Sequence, residues 1–355
     1  MTPPHVLIVG AGPTGLTAAV ELARRGIIPV VIEKRKTPSH LSRAVGILPR
    51  SMDILGPSGV AQSIRKEAIV FQRAIFHHNQ KPLAKIDLNT LKGQNKRLFG
   101  LAQDRTEAHL YETFVALGGK VVFGAEFLSL SQNHAGISTS ILGRAFRFDI
   151  VIGADGIHSA VRDALHIDFN GYELPELWSI ADVNAKGWTS PRCFQGFILD
   201  QGGVVVVVPI AKGRYRIIAN RPYALTALPV PMQITEVHNT AKFRISVRQA
   251  ETYQQGCVFL AGDAAHCHSP VGGRGMNLGI ADAADLAKRI TQGTTDEYTD
   301  SRHPVGRKTI KQSERARRAI TATHPAIRLF VRGFLRLTNR SPHLQSRFVK
   351  QALDL

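Results

Sequence analysis

Apolar residues come in short bursts at the start of the chain, and each burst ends in glycine or acid. Residues 5–9 (HVLIV) alternate little and carry Val, Leu and Ile in succession, the pattern of a parallel strand buried on both faces. Helical spacing follows over Leu16–Arg25 and stops at Gly26. A second strand, Ile27–Ile32, ends in Glu33. The same strand, turn and helix-start order recurs over Asp149–Arg162 and again in Val258–Ala261, with a helix predicted over Met276–Ile290. Between these lie 71–98 and 166–255, where apolar runs at Gly196–Leu199, Gly203–Pro209 and Tyr215–Asn220 are broken by turn residues and predict strands. The five consecutive valines Val204–Val208 predict a strand buried on both faces or lying beside a ligand. Pro304–Leu355 has helical spacing.

The glycines between the first strand and helix give this pattern a chemistry. Gly10-Ala11-Gly12-Pro13-Thr14-Gly15 is a GxGxxG turn in which Gly10 permits the tight bend, Gly12 lets a pyrophosphate approach the backbone, and Gly15 lets helix and strand pack. The helix N-terminus offers free N–H groups to the phosphates. Glu33, 18 residues after Gly15, is placed to accept hydrogen bonds from both ribose hydroxyls. A glycine turn with a surface glutamate would look similar, but the flanking strands favour dinucleotide binding.

Three further segments make the reading specific. They are Ser42–Arg50, with Arg43; the Asp155-Gly156 turn, with Ser159 and Arg162; and Gly262-Asp263-Ala-Ala-His266, followed by Pro270 and Gly272–Asn277. Gln103, Thr106, Glu107 and Leu110 add a QxxTExxL helix start. In this order, over residues 5–320, the chain resembles the class A flavoprotein aromatic hydroxylases of the para-hydroxybenzoate hydroxylase type. The resemblance implies an α/β fold: a Rossmann-like FAD-binding domain of the GR2 type (1–70, 99–165 and 256–300), an inserted mixed β-sheet substrate domain (71–98 and 166–255), and a basic C-terminal helical segment (301–355). It implies non-covalent FAD, NAD(P)H as co-substrate, and oxygen transfer to an aromatic, polycyclic or quinone-like small molecule through a flavin C4a-hydroperoxide. The residues it places on the cofactor are Gly10, Gly12, Pro13, Thr14, Gly15, Glu33, Lys34, Arg43, Gln103, Asp155, Asp263, Pro270, Gly273, Gly275, Met276 and Asn277. Asp263 reads either as an acceptor for a ribityl hydroxyl or as a helix N-cap, and the two are compatible. Gly272–Asn277 aims a helix dipole at the flavin edge. No catalytic side chain transfers from the family; Tyr172, Tyr215, Tyr223 and Arg216 are pocket candidates or plain packing residues.

Composition trims the alternatives. The chain has 355 residues, 44% hydrophobic and 20% charged, enough for a sizeable core and against wholesale disorder. Cys193, Cys257 and Cys267 show no CxxC spacing, which argues against a disulfide framework or a zinc site and fits a reducing cytoplasm. Neither a signal peptide nor a bilayer-spanning run is read from the sequence. His266 and His268, two apart with no acid or cysteine close in sequence, read as loop histidines rather than metal ligands. His77 and His78 would face opposite ways on a strand. Neither Trp178 nor Trp188 sits in the WxWxIP segment of halogenases. The remaining same-fold alternatives are a reductase or epoxidase of a lipophilic substrate, and a degenerate flavin-binding protein. Pro222–Thr240 reads shorter than the corresponding part of many relatives, which hold helices there.

Charge raises one further question. The net +18 is concentrated at the end: Ser301–Leu355 holds 13 Lys/Arg against Glu314 and Asp354, or +11, leaving +7 for the first 300 residues. Arg328, Arg332, Arg336 and Arg340 recur every four residues among Ile, Leu, Val and Phe. One reading is peripheral contact with an anionic membrane. The plainer one, which we take as the working expectation, is a helix packed on the core with a solvated arginine face. No nucleic-acid-binding pattern accompanies the charge.

Overall fold

The computed structural model describes residues 3–38, 44–89, 97–133 and 136–353. A six-stranded sheet runs in the order Gln254–Gln255, Val258–Leu260, Ile150–Gly153, Val6–Val9, Val30–Glu33, Lys120–Phe123. Only the short first strand is antiparallel. Central strands such as Val6–Val9 are buried on both faces, which explains their unbroken apolar sequence. The helix predicted from Leu16 begins at Pro13, because proline fits the first helical turn where no N–H partner is needed.

The second sheet has eight strands, in the order His266–Cys267, Gln233–Ala250, Phe169–Lys186, Arg214–Ala219, Val204–Ala211, Cys193–Ile198, Arg73–His78, Lys81–Asp87. It is mixed: Cys193–Ile198 pairs parallel with Arg73–His78, and the other pairs are antiparallel. Between Pro222 and Thr240 the chain makes one helical turn, Ala224–Ala227, and then enters the 18-residue strand Gln233–Ala250. One face of the sheet, with Ala181, Val183, Val205, Val207 and Ile217, is covered by Leu225, Leu228, Val230 and Met232. The other face packs Phe194, Val206 and Val208 toward Val45, Leu48 and Ala102 of the nucleotide-fold side.

Three helices close the chain: Tyr298–Ile320, Pro325–Arg340 and Pro342–Leu353. Pro304 sits inside the first without ending it. Val331 and Leu335 pack on Leu83, Ala84, Phe76 and Ile198 at the edge of the eight-stranded sheet. Among the described residues, no helix is long and apolar enough to cross a membrane.

The two distant glycine-rich segments meet directly. The helix Pro13–Ala23 packs along Gly275–Gln292, and a Cβ on either Gly262 or Gly279 would collide with the Thr14 hydroxyl. A Gly279→Val substitution should therefore force the helices apart and destabilise the protein by about 2 kcal/mol or more, read as a lowered urea midpoint. An unchanged midpoint would refute this packing account.

Candidate flavin site

The phosphate cradle is built as its sequence requires. Gly10 has φ +103°, and a Cβ there would strike the Ala154 carbonyl; a Cβ on Gly15 would strike the carbonyl of Gly10. Gly12 instead caps the helix with nothing within 4 Å of where its Cβ would lie, so the backbone faces open space at the helix N-terminus. That is the room a pyrophosphate needs.

Glu33 is buried beside the cradle. Its carboxylate accepts from the Ala11 N–H (2.9 Å), the Arg35 N–H (2.9 Å) and the Arg35 side chain (3.0 Å). Burial opposes its ionisation, but hydrogen bonds from Arg35 and Ala11 outweigh burial and hold it below the ordinary carboxyl value. Lys34 is exposed next to it. Asp155 accepts from the Val161 N–H (3.2 Å) through Oδ2, while its buried Oδ1 has no partner. Burial pushes this carboxyl up. The α-carbon of Asp155 would lie 3.0 Å from a Cβ on Gly10, so this residue adjoins the cradle. An open cradle and an orphaned acceptor beside it fit a bound dinucleotide.

At the other end, Pro270–Gly273 forms a turn closed by the Gly273 N–H on the Pro270 carbonyl (2.9 Å), with Gly272 and Gly273 at positive φ. Pro270 is exposed, and a Cβ on Gly273 or Gly275 would meet nothing within 4 Å. The helix Gly275–Gln292 starts there, with Met276 buried. Asp263 is exposed and caps neither this helix nor the single turn Gly262–Ala264, so of its two expected roles the N-cap is not observed. The Asn277 side chain is fully used by protein: it accepts from the Leu48 N–H and the Ser51 hydroxyl (both 2.8 Å) and donates to the carbonyls of Gly46 (2.8 Å) and Gly273 (2.9 Å). It holds residues 46–51 against the helix start, and only its backbone is left to face a cofactor. Gln103 does similar work, accepting from the Ala44 N–H (2.9 Å) and donating to Glu107 (2.8 Å). Arg43 lies outside the described residues.

The sequence reading missed the charge cluster beneath this site. Asp282 is fully buried and accepts from Arg302 (2.7 Å) and the Gly262 N–H (3.2 Å), with the His266 ring nitrogen 2.6 Å away. Burial opposes its charge, but Arg302 and His266 prevail and hold it below its ordinary value. His266 therefore has an acidic neighbour after all, 16 residues on. The available signal was an aspartate on the apolar face of a buried helix. His268 is held neutral by burial, with its pKa pushed down to about 4. Among the described residues, no group of His, Cys, Asp or Glu is arranged to hold a metal.

On the face that packs toward Val45, Leu48 and Ala102, the eight-stranded sheet presents one cross-strand row: Ile180, Ile218, Val206, Gly196 and Phe76 are in direct register. The four side chains of the row are only partly buried, and Ile218 packs on the cluster of Leu174, Trp178, Ile245 and Val247 that also receives Val271, next to Pro270. In the adjacent row Arg216, 1% exposed, clasps Asp182 with two bonds of 2.7 Å. Arg214 lies 3.9 Å from the same carboxylate, and Arg216 Nη1 is buried without a partner. Tyr215 faces the opposite side of the sheet, and Tyr172 bonds Glu314 (3.1 Å) on a C-terminal helix. Tyr223 is 63% exposed, under a lysine. Of the four pocket candidates, Arg216 is the one buried in the row next to Ile180, Ile218 and Val206; Tyr215 is on the opposite face, and Tyr172 and Tyr223 are exposed.

Comparison with known proteins agrees. The FAD binding domain family model matches residues 4–227 and 223–313. Pentachlorophenol 4-monooxygenase of Sphingobium chlorophenolicum is 30% identical over 86% of this chain and 63% of its own length. Rifampicin monooxygenase of Streptomyces venezuelae is 30% identical over 90% of this chain and 72% of its own. The chain thus spans about two thirds of the length of these curated relatives. The p-nitrophenol 4-monooxygenase PnpA from Pseudomonas putida superimposes with a TM-score of 0.89 at 24% identity, covering 99% of this chain and 98% of its own.

Two predictions follow from the geometry. Gly12→Val and Asp263→Ala should each lower FAD affinity at least about tenfold, measured by retained flavin absorbance after desalting; full retention in both would refute the two-ended site. Glu107 is buried, and burial raises its pKa to about 7 despite the Gln103 hydrogen bond. A raised carboxyl pKa stabilises the fold at low pH and loses that contribution as pH rises from the ordinary value through 7. Glu107→Gln should match wild type near pH 5 and exceed it at pH 8 by roughly 1–3 kcal/mol in urea unfolding. The open glycine cradle and the family match converge: the chain belongs to the class A FAD-dependent aromatic hydroxylases, flavoprotein monooxygenases with FAD as cofactor.

Proposed function

We propose that the protein hydroxylates a phenolic ring, consuming NAD(P)H and O2. In this reading residues 1–70, 99–165 and 256–300 hold the cofactor, while 71–98 and 166–255 cover it and choose the substrate. Bound FAD supplies the redox chemistry that splits O2 and delivers one oxygen atom to the ring. The chain's own residues bind, orient and exclude water. Glu33, Asp155, Asp263 and the Gly12 turn grip the dinucleotide. The N-terminus of Gly275–Gln292 places its dipole where negative charge collects on reduction.

The observation that carries the reading is the sheet row on the face that packs toward Val45, Leu48 and Ala102. Ile180, Ile218, Val206 and Phe76 offer an apolar floor, Gly196 leaves a gap in it, and the unpartnered Nη1 of Arg216 lies one row away. Two arginines around one Asp182 leave net positive charge there. Such a setting favours a phenolate over a phenol, and the phenolate is the more electron-rich ring for accepting oxygen. An extended polycyclic substrate is supported less directly, by relatives such as the Streptomyces rimosus anhydrotetracycline monooxygenase.

Purified protein should oxidise NAD(P)H faster when small phenols are added, with a product one oxygen heavier. In the paired variant Asp182→Asn/Arg216→Met, which leaves no lone buried charge, KM for phenols should rise roughly tenfold while FAD content stays constant. Absence of any phenol-stimulated turnover in protein that holds FAD would overturn the proposal.

A further inference from the structure

The helix Pro325–Arg340 is turned opposite to the working expectation. Arg328 and Arg332 point inward, where both engage Asp200 and Arg332 also meets His78. Asn339 accepts from the Lys85 N–H (2.7 Å), and Leu335 and Thr338 are buried on the same side. The arginine stripe is thus divided. Its first half is the docking face, and Arg336 and Arg340 remain exposed.

The apolar residues consequently face out. Ile327, Phe330, Phe334 and Leu337 are 46%, 72%, 43% and 57% exposed, and their spacing puts them on one stripe, with Leu329 (69% exposed) farther round. Large apolar side chains clustered on a surface mark an interaction site. Their surroundings are basic. The next helix exposes His343, Arg347 and Lys350, and its Phe348 ring lies 6.3 Å from Phe334. Lys81 and Lys85 are exposed on the strand beneath. From Thr321 to Leu353 the sequence has six Lys/Arg and no Asp or Glu.

We propose that the outward face of Pro325–Arg340 docks on an anionic phospholipid surface. Phe330, Phe334 and Leu337 enter the boundary between headgroups and acyl chains, and Arg336, Arg340, Arg347 and Lys350 meet the phosphates. Charge selects this occupant. A second copy of a chain carrying +18, bringing the same basic rim to the contact, would be repelled. A bilayer accepts both halves of the pattern, apolar centre and cationic rim, without a shaped groove. The proposal stands apart from the hydroxylation reading, since neither these residues nor the test depends on turnover.

The test is flotation of the FAD-loaded full chain with phosphatidylcholine vesicles, with and without phosphatidylglycerol. Wild type should float with the anionic vesicles and stay behind with neutral ones. Phe330→Ser/Phe334→Ser should reduce partitioning at least about tenfold with flavin absorbance retained, showing that the fold survives. Arg336→Gln/Arg340→Gln should reduce it about fivefold per charge removed, and about 0.5 M salt should weaken wild type in the same direction. Wild type that ignores anionic vesicles, or a double serine variant that floats like wild type, overturns the proposal. So does a concentration-dependent dimer that Phe330→Ser dissolves, which would make the face a contact between copies. Retention on polyglutamate without vesicle binding would likewise reassign it to an acidic protein.

Discussion

The close approach of two segments some 250 residues apart is the constraint on which the rest depends. Thr14 occupies space that only glycine leaves free at both Gly262 and Gly279. The same contact brings the phosphate cradle alongside the helix that starts at Gly275. In the proposed reading this contact fixes the separation between the helix N-terminus that meets the pyrophosphate and the one that meets the isoalloxazine. Asp282 reinforces the junction from below. It ties the Gly262 N–H to His266 and to Arg302, which comes from the first of the closing helices. That helix is therefore tied into the junction of the two glycine-rich segments.

Buried charge recurs wherever the two sheets and the closing helices must keep one register. Asp282 with Arg302, Asp182 with Arg216, and Glu314 with Arg317 are each buried at the carboxylate. Such pairs add little net stability, because desolvation offsets most of the attraction, but breaking one leaves a stranded charge that is costly. They therefore penalise misplaced helices and strands more than they strengthen the correct fold. Arg274 acts alike through neutral partners, reaching Gln312 and the Gln351 carbonyl to fasten two closing helices beside the ring-side turn.

Much of the fold was legible because its signals are local. Gly10, Gly12 and Gly15 announce a cradle through backbone geometry alone, and each does what its position requires. The strands flanking Gly203 and Gly213 were readable from apolar runs ending in turns. Side-chain roles were harder to read, since they depend on partners far away in sequence. Asn277 looked like a cofactor ligand, yet its amide is consumed by Gly46, Leu48, Ser51 and Gly273. His266 looked solitary because Asp282 lies 16 residues on, past a turn and inside the helix that follows. Arg216 could not be ranked above Tyr215 until the pleat placed them on opposite faces of one strand.

The helix Pro325–Arg340 shows the same limit in sharper form. Periodicity identified one stripe of arginine with apolar residues filling most of the rest, and hydrophobicity alone says the apolar part should be inside. The edge it meets decided otherwise. Asp200 stands there as an acceptor with His78 beside it, and the apolar patch around Leu83 and Ala84 is small enough for Val331 and Leu335 to cover. Once two guanidiniums are drawn to Asp200, the helix has no rotation that also buries Phe330 and Leu337. An amphipathic helix docked by its polar side keeps its apolar side available, and a soluble-protein reading of the moment would have missed which side that is.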